Sequence, residues 1–271
     1  MNSFLRLRSE MIEFYDVSFR HQSGVMALRE INLKIATNTL TAIVGENGAG
    51  KTTLVRHING LLKPSQGKVL VFGEDTKKQS VARLSRKVGI VFQNPDHQLF
   101  SDTVENEILF GLRNFGIEEK HDRLEWALEF FDLSRYRNVS PMLLSGGEKK
   151  RLCFACVLAW DPDVLILDEP TVGQDYKHKE KIVLMINNLL QKGKTVIIVS
   201  HDLEFLWPQQ PRTLVMSQGK IIADGNIAEA LSNDSVIKQA NLVRPLLLAL
   251  AIALKLKPPR NVAEAAKVLA R

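Results

Sequence analysis

Apolar residues follow two different periods along this chain. Residues 12–21 and 28–36 alternate apolar and polar positions on either side of a turn at Ser23-Gly24. Alternation of that kind puts one face of a strand in a core and the other in water, so residues 11–37 predict an antiparallel β element. Further on, the apolar runs are short and lean toward continuous, at 39–44, 68–72, 87–92, 164–167 and 195–200, and read as strands, the last two fully buried. Helical patterns alternate with them. Residues 53–62 read as a helix closed near Gly60, and 102–133 turn helical with Leu124, Ala127, Leu128 and Phe131 at helix spacing. Another helix starts at Gly147, a further one covers about 176–191, and a hairpin follows at 213–223. Buried strands alternating with helices predict an α/β domain with a parallel core, carrying a helical insertion over about 102–160. From about 228 onward the chain is a helical tail that Pro258-Pro259 interrupts before a last short helix.

Bulk properties narrow this picture. With 271 residues, 45% of them hydrophobic and 24% charged, the chain suits one large domain with an appendage. Two cysteines exclude a disulfide scaffold and point to a reducing compartment. The first eight residues show neither a long apolar stretch nor a small-residue cleavage site, so no signal peptide is expected. The run Leu246-Leu-Leu-Ala-Leu-Ala-Ile-Ala-Leu254 is too short for a bilayer, which takes roughly twenty residues, and predicts a buried or interface helix. A net charge of +6 suits an anionic partner. No interleaved aromatic and basic pattern accompanies it, so the extra lysines read as ordinary surface charge, with a bias toward a membrane surface over nucleic acid.

The chemistry begins at Gly45-Glu46-Asn47-Gly48-Ala49-Gly50-Lys51-Thr52, which fits G-x-x-x-x-G-K-[ST] at every fixed position, after a strand and before a helix. Glycines let the backbone N–H groups wrap an anion, and the following helix, from Thr53, adds its dipole. Lys51 is expected at the β- and γ-phosphates, with Thr52 holding Mg2+ through its hydroxyl. Farther on, Val164-Leu-Ile-Leu-Asp168-Glu169 is a buried strand ending in two acids. Asp168 is expected in the Mg2+ shell and Glu169 at the water that attacks the γ-phosphate. Leu144-Ser145-Gly146-Gly147-Glu148 opens a helix with small residues and so repeats the anion-binding geometry. Cys153 and Cys156 are spaced C-x-x-C, but with no second pair and among apolar helix neighbours they read as packing residues.

In this order the phosphate loop, Gln93, residues 144–148, 164–169 and His201 resemble the ATP-binding cassette family over about residues 11–225. The resemblance implies an α/β fold with a P-loop NTPase core, an antiparallel β subdomain, a helical signature subdomain and a C-terminal helical extension. It divides the chain into a nucleotide-binding domain at 1–227, with the helical subdomain at about 102–160, and an extension at 228–271 that serves dimerisation. It also implies ATP and Mg2+ as cofactors and a head-to-tail pair of cassettes, homodimeric or with a paralogue, that sandwiches two nucleotides. Gly45, Asn47, Gly48, Ala49, Gly50, Lys51, Thr52 and Thr53 then bind ATP on one protomer, and Ser145, Gly146 and Gly147 close over it from the other. Gln93 touches Mg2+ and reports to the membrane partner, His201 contacts the γ-phosphate, and Asp175 lies in the loop that crosses the dimer seam. The chain departs from the family pattern at three positions. Glu148 stands where glutamine is commoner, Gln174 where leucine is usual, and His21 where an aromatic ring commonly stacks on adenine.

The segment Phe92-Gln93-Asn94-Pro95-Asp96-His97-Gln98-Leu99-Phe100, followed by Thr103-Val104-Glu105 and Phe110-Gly111, is similar to the ATPases of energy-coupling factor transporters. That likeness implies an ATP-hydrolysing subunit at the cytoplasmic face of the cell membrane, energising an importer of cobalt or nickel ions, or of vitamins such as biotin or riboflavin. Its partners would be a transmembrane scaffold protein and a substrate-binding membrane subunit, with no nucleic acid. Leu99 and Phe100, expected to be exposed beside Asp96, would anchor the scaffold's coupling helices. Two other classes compete. A soluble cassette ATPase of translation or DNA repair usually fuses two cassettes or inserts long coiled coils, and this chain has one phosphate loop and no heptad run. The ATPase of a binding-protein-dependent importer typically carries a β-rich extension, whereas this tail reads as helical.

Overall fold

A computed structural model describes residues 10–269. The N-terminal residues read above for a signal peptide lie outside the described residues. Both alternating runs become strands, β1 (Glu10–Arg20) and β2 (Met26–Ala36), paired antiparallel with Phe14 opposite Leu33 and Phe19 opposite Leu28. The chain continues through β3 (Leu40–Val44), α1 (Lys51–Ile58), β4 (Gln66–Val71) and the two-residue β5 (Glu74–Asp75). Next come α2 (Val81–Ser85), β6 (Val88–Val91), α3 (Val104–Asn114) and α4 (Lys120–Phe130). They are followed by α5 (Gly146–Ala159), β7 (Val164–Asp168) and α6 (Tyr176–Gln191). After β8 (Thr195–Val199) and α7 (Leu203–Leu206), the hairpin β9 (Arg212–Ser217) and β10 (Lys220–Asn226) leads into the tail. The tail holds α8 (Ile227–Ser232), α9 (Asp234–Gln239), α10 (Leu246–Leu254) and α11 (Val262–Leu269).

These elements gather into two compact units, one from the described parts of 1–80 and 197–271 and one from Val81–Val196. In the first, an antiparallel sheet of order β2-β1-β4-β5 buries Ile12, Phe14, Val17 and Ile31 from the two alternating runs and Val69 from β4. Beside it β3 runs parallel to β9 with Ile43 opposite Leu214, and β10 closes the hairpin with Gly225 opposite Thr213. Where β8 ends, the Ser200 N–H donates to Ile43 O at 3.2 Å. The continuous apolar runs are continuous because both faces are covered, and Ile43, Val44, Leu214 and Val215 expose nothing. The tail is tied back onto this unit. Trp207 Nε1 donates to Pro259 O at 2.9 Å, and Glu204 accepts from the Leu246 N–H at 2.6 Å, capping α10. Helix α10 buries only Leu248 and Ala251 and leaves Leu246, Leu250, Ile252 and Leu254 exposed. Among the described residues no helix is long and apolar enough to cross a membrane.

In the second unit β6 and β7 pair in parallel, Ile90 opposite Ile166. Helices α3, α4 and α5 pack together on Ile108, Leu112, Leu124, Leu128, Leu152 and Phe154, all buried. Cys153 and Cys156 are free and buried in α5, and burial pushes the Cys153 thiol up to about 12, so they pack as neutral side chains.

Candidate functional site

In the first unit β3 delivers the chain into the glycine loop. Gly45 has φ 146° and Gly50 φ 100°, and a Cβ at either would meet main-chain oxygen, Met216 O at 2.2 Å or Ala27 O at 2.5 Å. Strands β9 and β2 press on the loop closely enough that only glycine fits. A Cβ at Gly48 would meet nothing within 4 Å, so the loop's outer side is open. Helix α1 starts at Lys51 with Gly50 as its N-cap and no side-chain cap, and its dipole favours an anion at that end. Lys51 is 7% exposed, and its Nζ curls over the loop to donate to Gly45 O at 2.7 Å and Glu46 O at 2.8 Å. Gly45, Glu46 and Asn47 line a cavity of about 680 Å³ together with His201, Asp202 and the tail segment Asn241 to Pro245. The phosphate loop and His201, separated by some 150 residues of sequence, thus face one space.

His21 does not line that cavity. It lies exposed at the β1–β2 turn with its ring edge-on to Phe19, centroids 4.9 Å apart. Phe19 also meets His57 of α1 edge-on at 4.9 Å. His57 is fully buried, with Nδ1 2.8 Å from Thr53 O and Nε2 without a partner, and burial pulls its pKa below the ordinary value.

The second unit holds the acids, Gln93 and the signature. Strand β7 ends on Asp168, 2% exposed, and Glu169, 5% exposed, follows with φ 49°. A left-handed glutamate directly before Pro170 is backbone strain of the kind that surroundings must impose. Gln93 is exposed just after β6. Ser145 caps α5 in a reciprocal box, its Oγ accepting from Glu148 N–H at 3.4 Å while Glu148 Oε2 accepts from Ser145 N–H at 2.8 Å. Tyr136 O–H donates to the other carboxylate oxygen, and Arg135 lies 3.7 Å away. These donors hold the Glu148 carboxyl down at about 2, first through Tyr136 and then through Ser145. Glutamate in place of glutamine therefore makes a charge-assisted cap for the signature helix. The second departure has a partner too. Gln174 Nε2 donates to Gly147 O at 3.3 Å, and a Cβ at Gly147 would lie 2.9 Å from Gly173 O, so the signature and the 171–175 loop touch. Asp175 caps α6, accepting from His178 N–H at 2.9 Å.

Sequence reasoning missed Lys150. It reads as one more charge in Glu148-Lys-Lys-Arg151, yet it is 2% exposed and donates to Phe92 O at 2.8 Å, Asp168 O at 3.0 Å and Gln93 O at 3.3 Å. Burial pulls its pKa down to about 8. The capping box was visible in advance as Ser-x-x-Glu; Lys150 carried no such signal.

The expectation that Leu99 is exposed is corrected: it is 4% exposed, while Phe100 is 62% exposed. The turn at Pro95–His97 draws Leu99 inward, its N–H donating to Pro95 O at 3.2 Å. The buried Glu107 carboxylate then accepts from both Phe100 N–H (2.9 Å) and Ser101 N–H (2.7 Å), fixing Phe100 outward. Phe110 takes the place expected of Leu99, edge-on to Phe100 with centroids 4.7 Å apart. Both line a cavity of about 450 Å³ with Arg86, Gln98, Phe115 and Trp160.

The oxygen donors of Thr52, Asp168 and Gln93 are hard ligands of the kind Mg2+ takes. Among the described residues no three His, Cys, Asp or Glu side chains cluster as a metal site.

Residues 28–172 match the profile of a family described as ABC transporter. The chain is 46% identical over 239 residues to a putative ABC transporter ATP-binding protein of Methanosarcina acetivorans, covering 88% of this chain and 39% of that relative. It therefore spans well under half of that relative's length. It is 42% identical over 239 residues to the energy-coupling factor transporter ATP-binding protein EcfA of Methanothermobacter thermautotrophicus, covering 87% of this chain and 77% of the relative. Among solved structures it is similar to cbiO1 from Clostridium perfringens, part of the ABC transporter complex cbiONQ. The TM-score is 0.71 and the identity 34%, covering 91% of this chain and 98% of that one.

Proposed function

The chain belongs to the ABC transporter family, and from that premise we propose that it is the ATP-hydrolysing subunit of an energy-coupling factor importer. The observation that carries the nucleotide reading is the single cavity onto which the glycine loop and His201 both face. The likeness to EcfA carries the importer reading. Backbone donors at the start of α1 and the Lys51 ammonium bind the phosphates, His201 meets the γ-phosphate, and Glu169 orients water against it. Thr52, Asp168 and Gln93 would hold Mg2+, which would neutralise phosphate charge.

Two copies, or this chain and a paralogue, close over the nucleotides with Ser145, Gly146 and Gly147 of one facing the phosphate loop of the other. The tail supports that pairing, since α10 presents Leu246, Leu250, Ile252 and Leu254 outward. The protein works at the cytoplasmic face of the membrane beneath a transmembrane scaffold. A separate membrane subunit selects the cargo, a metal ion such as cobalt or nickel, or a vitamin.

The groove of Phe100 and Phe110 is the docking site for the scaffold's helices, with two aromatic anchors in a rim of Arg86 and Gln98. Changing both to serine leaves the buried core intact and removes the anchors, for an expected loss of about 2 kcal/mol or more in docking, roughly thirtyfold. The variant is expected to melt and bind ATP as the parent does and to lose co-purification with the membrane subunits. Normal co-purification of a stable variant overturns the docking reading.

A further inference from the structure

We propose that Lys150 is a positioning residue for ATP hydrolysis, a buried ammonium that locks the acid loop and the glutamine loop to the signature helix. The inference rests on the roles given above to Glu169 and Gln93. An ammonium has three N–H donors, and each is spent on a main-chain carbonyl: Phe92, Gln93 and Asp168. The three acceptors come from two separate segments. One is the end of β6 with the start of the glutamine loop, and the other is the last residue of β7. Lys150 itself stands five residues after Ser145 on the helix that the signature opens, so a rigid rod joins the signature to both loops.

The Asp168 carbonyl matters most. It belongs to the peptide that leads into Glu169, whose φ of 49° is a conformation held only when its surroundings impose it. Lys150 supplies that restraint at the peptide's oxygen and so sets where the Glu169 carboxylate points. Burying a charge is unfavourable, and an aliphatic side chain would fill the same volume without that penalty. What the aliphatic side chain cannot do is hold three carbonyls at once. The residue contacts no nucleotide in this reading; it acts through Glu169 and Gln93.

The test compares four variants of the full chain, measuring phosphate release, ATP affinity and melting temperature on each. Lys150→Met keeps the volume and removes every donor. It is expected to lower kcat about 10²-fold, the effect of a misplacement near 1 Å, with the ATP dissociation constant within about twofold of the parent. Lys150→Gln keeps two amide donors and is expected to recover part of that loss. Leu152→Ala, on the same helix and equally buried, lowers stability without touching the carbonyls, and is expected to retain most of kcat at a matched or larger drop in melting temperature. Glu169→Gln tests the underlying reading and is expected to bind ATP without hydrolysing it.

If kcat of Lys150→Met stays within about twofold of the parent, or falls no further than that of Leu152→Ala, the positioning role is overturned even when Glu169→Gln is inactive. If Glu169→Gln hydrolyses ATP normally, the assignment of the acid loop fails instead. Should Lys150→Met not fold, Lys150→Gln takes its place, and an unchanged kcat there again overturns the proposal.

Discussion

Replacing Glu148 by alanine removes a carboxylate that satisfies one backbone donor and one phenol at the start of the signature helix. The Ser145 N–H loses its acceptor at 2.8 Å, Tyr136 O–H loses its partner, and the Ser145 hydroxyl is left to cap α5 alone. The Arg135 pair adds little, since at 3.7 Å its guanidinium is largely in water. A lost reciprocal cap and a lost charge-assisted bond together cost about 1–3 kcal/mol near neutral pH. In a chain of this size that lowers the melting temperature by roughly 3–10 °C. Glu148→Gln keeps an acceptor oxygen without the charge and is expected to lose about half as much. The pH dependence separates this account from simple loss of packing. The carboxyl titrates at about 2 in the fold against 4.5 ordinarily, so the unfolded chain binds the proton first on acidification. Its stabilisation is complete above 4.5 and drains away as pH falls through about 2. Melting curves of the parent and the alanine variant, by fluorescence near pH 7 and again at about pH 3.5, are therefore expected to lie closer together at the lower pH without meeting. An alanine variant as stable as the parent at neutral pH, or a gap of equal size at both, refutes the reasoning.

Two further outcomes follow from the first unit. Folded His57 has a lowered pKa because burial disfavours its charge, while the unfolded residue titrates near 6.5, so the unfolded state takes up the extra proton below that pH and stability falls. His57→Gln is expected to flatten the melting temperature's dependence on pH just below 6.5, and parallel curves would count against it. Lys51→Ala removes both the ammonium that balances phosphate charge and the two bonds to Gly45 O and Glu46 O, so ATP binding itself is expected to weaken; unchanged affinity by calorimetry contradicts the phosphate-loop assignment.

Much of this protein was legible in the order of its residues. Alternation predicted β1 and β2, because successive side chains in a strand point to opposite faces, although irregularities at Asp16 (φ 47°) and Glu30 (φ 51°) make the buried positions step from Phe14 to Val17 and from Leu28 to Ile31. The glycine loop was legible because its spacing is local, with Gly45 and Gly50 at positive φ and α1 starting at the next residue, whereas the close approach of Met216 O and Ala27 O that also demands glycine there came only with the fold. The acids ending β7 and the histidine following β8 were readable for the same reason, as punctuation at strand ends. What the sequence left open was decided by atoms far apart along the chain. Leu99 and Phe100 are equally apolar neighbours, and only the Glu107 carboxylate, bonded to two N–H groups, turns one inward and the other outward. The apolar run of α10 says nothing of which leucines are covered; packing buries Leu248 and leaves Leu246 in water. Gln174 looked like a mere departure until Gly147 O appeared at hydrogen-bond distance from its amide. Lys150 is the sharpest case. Its pattern is that of a wet charged face, and its function as a buried tether exists only because folding brings the carbonyls of Phe92, Gln93 and Asp168 to one point. Local rules fix what a residue's own backbone requires, whereas the worth of a polar side chain depends on which distant groups would otherwise be buried without a partner.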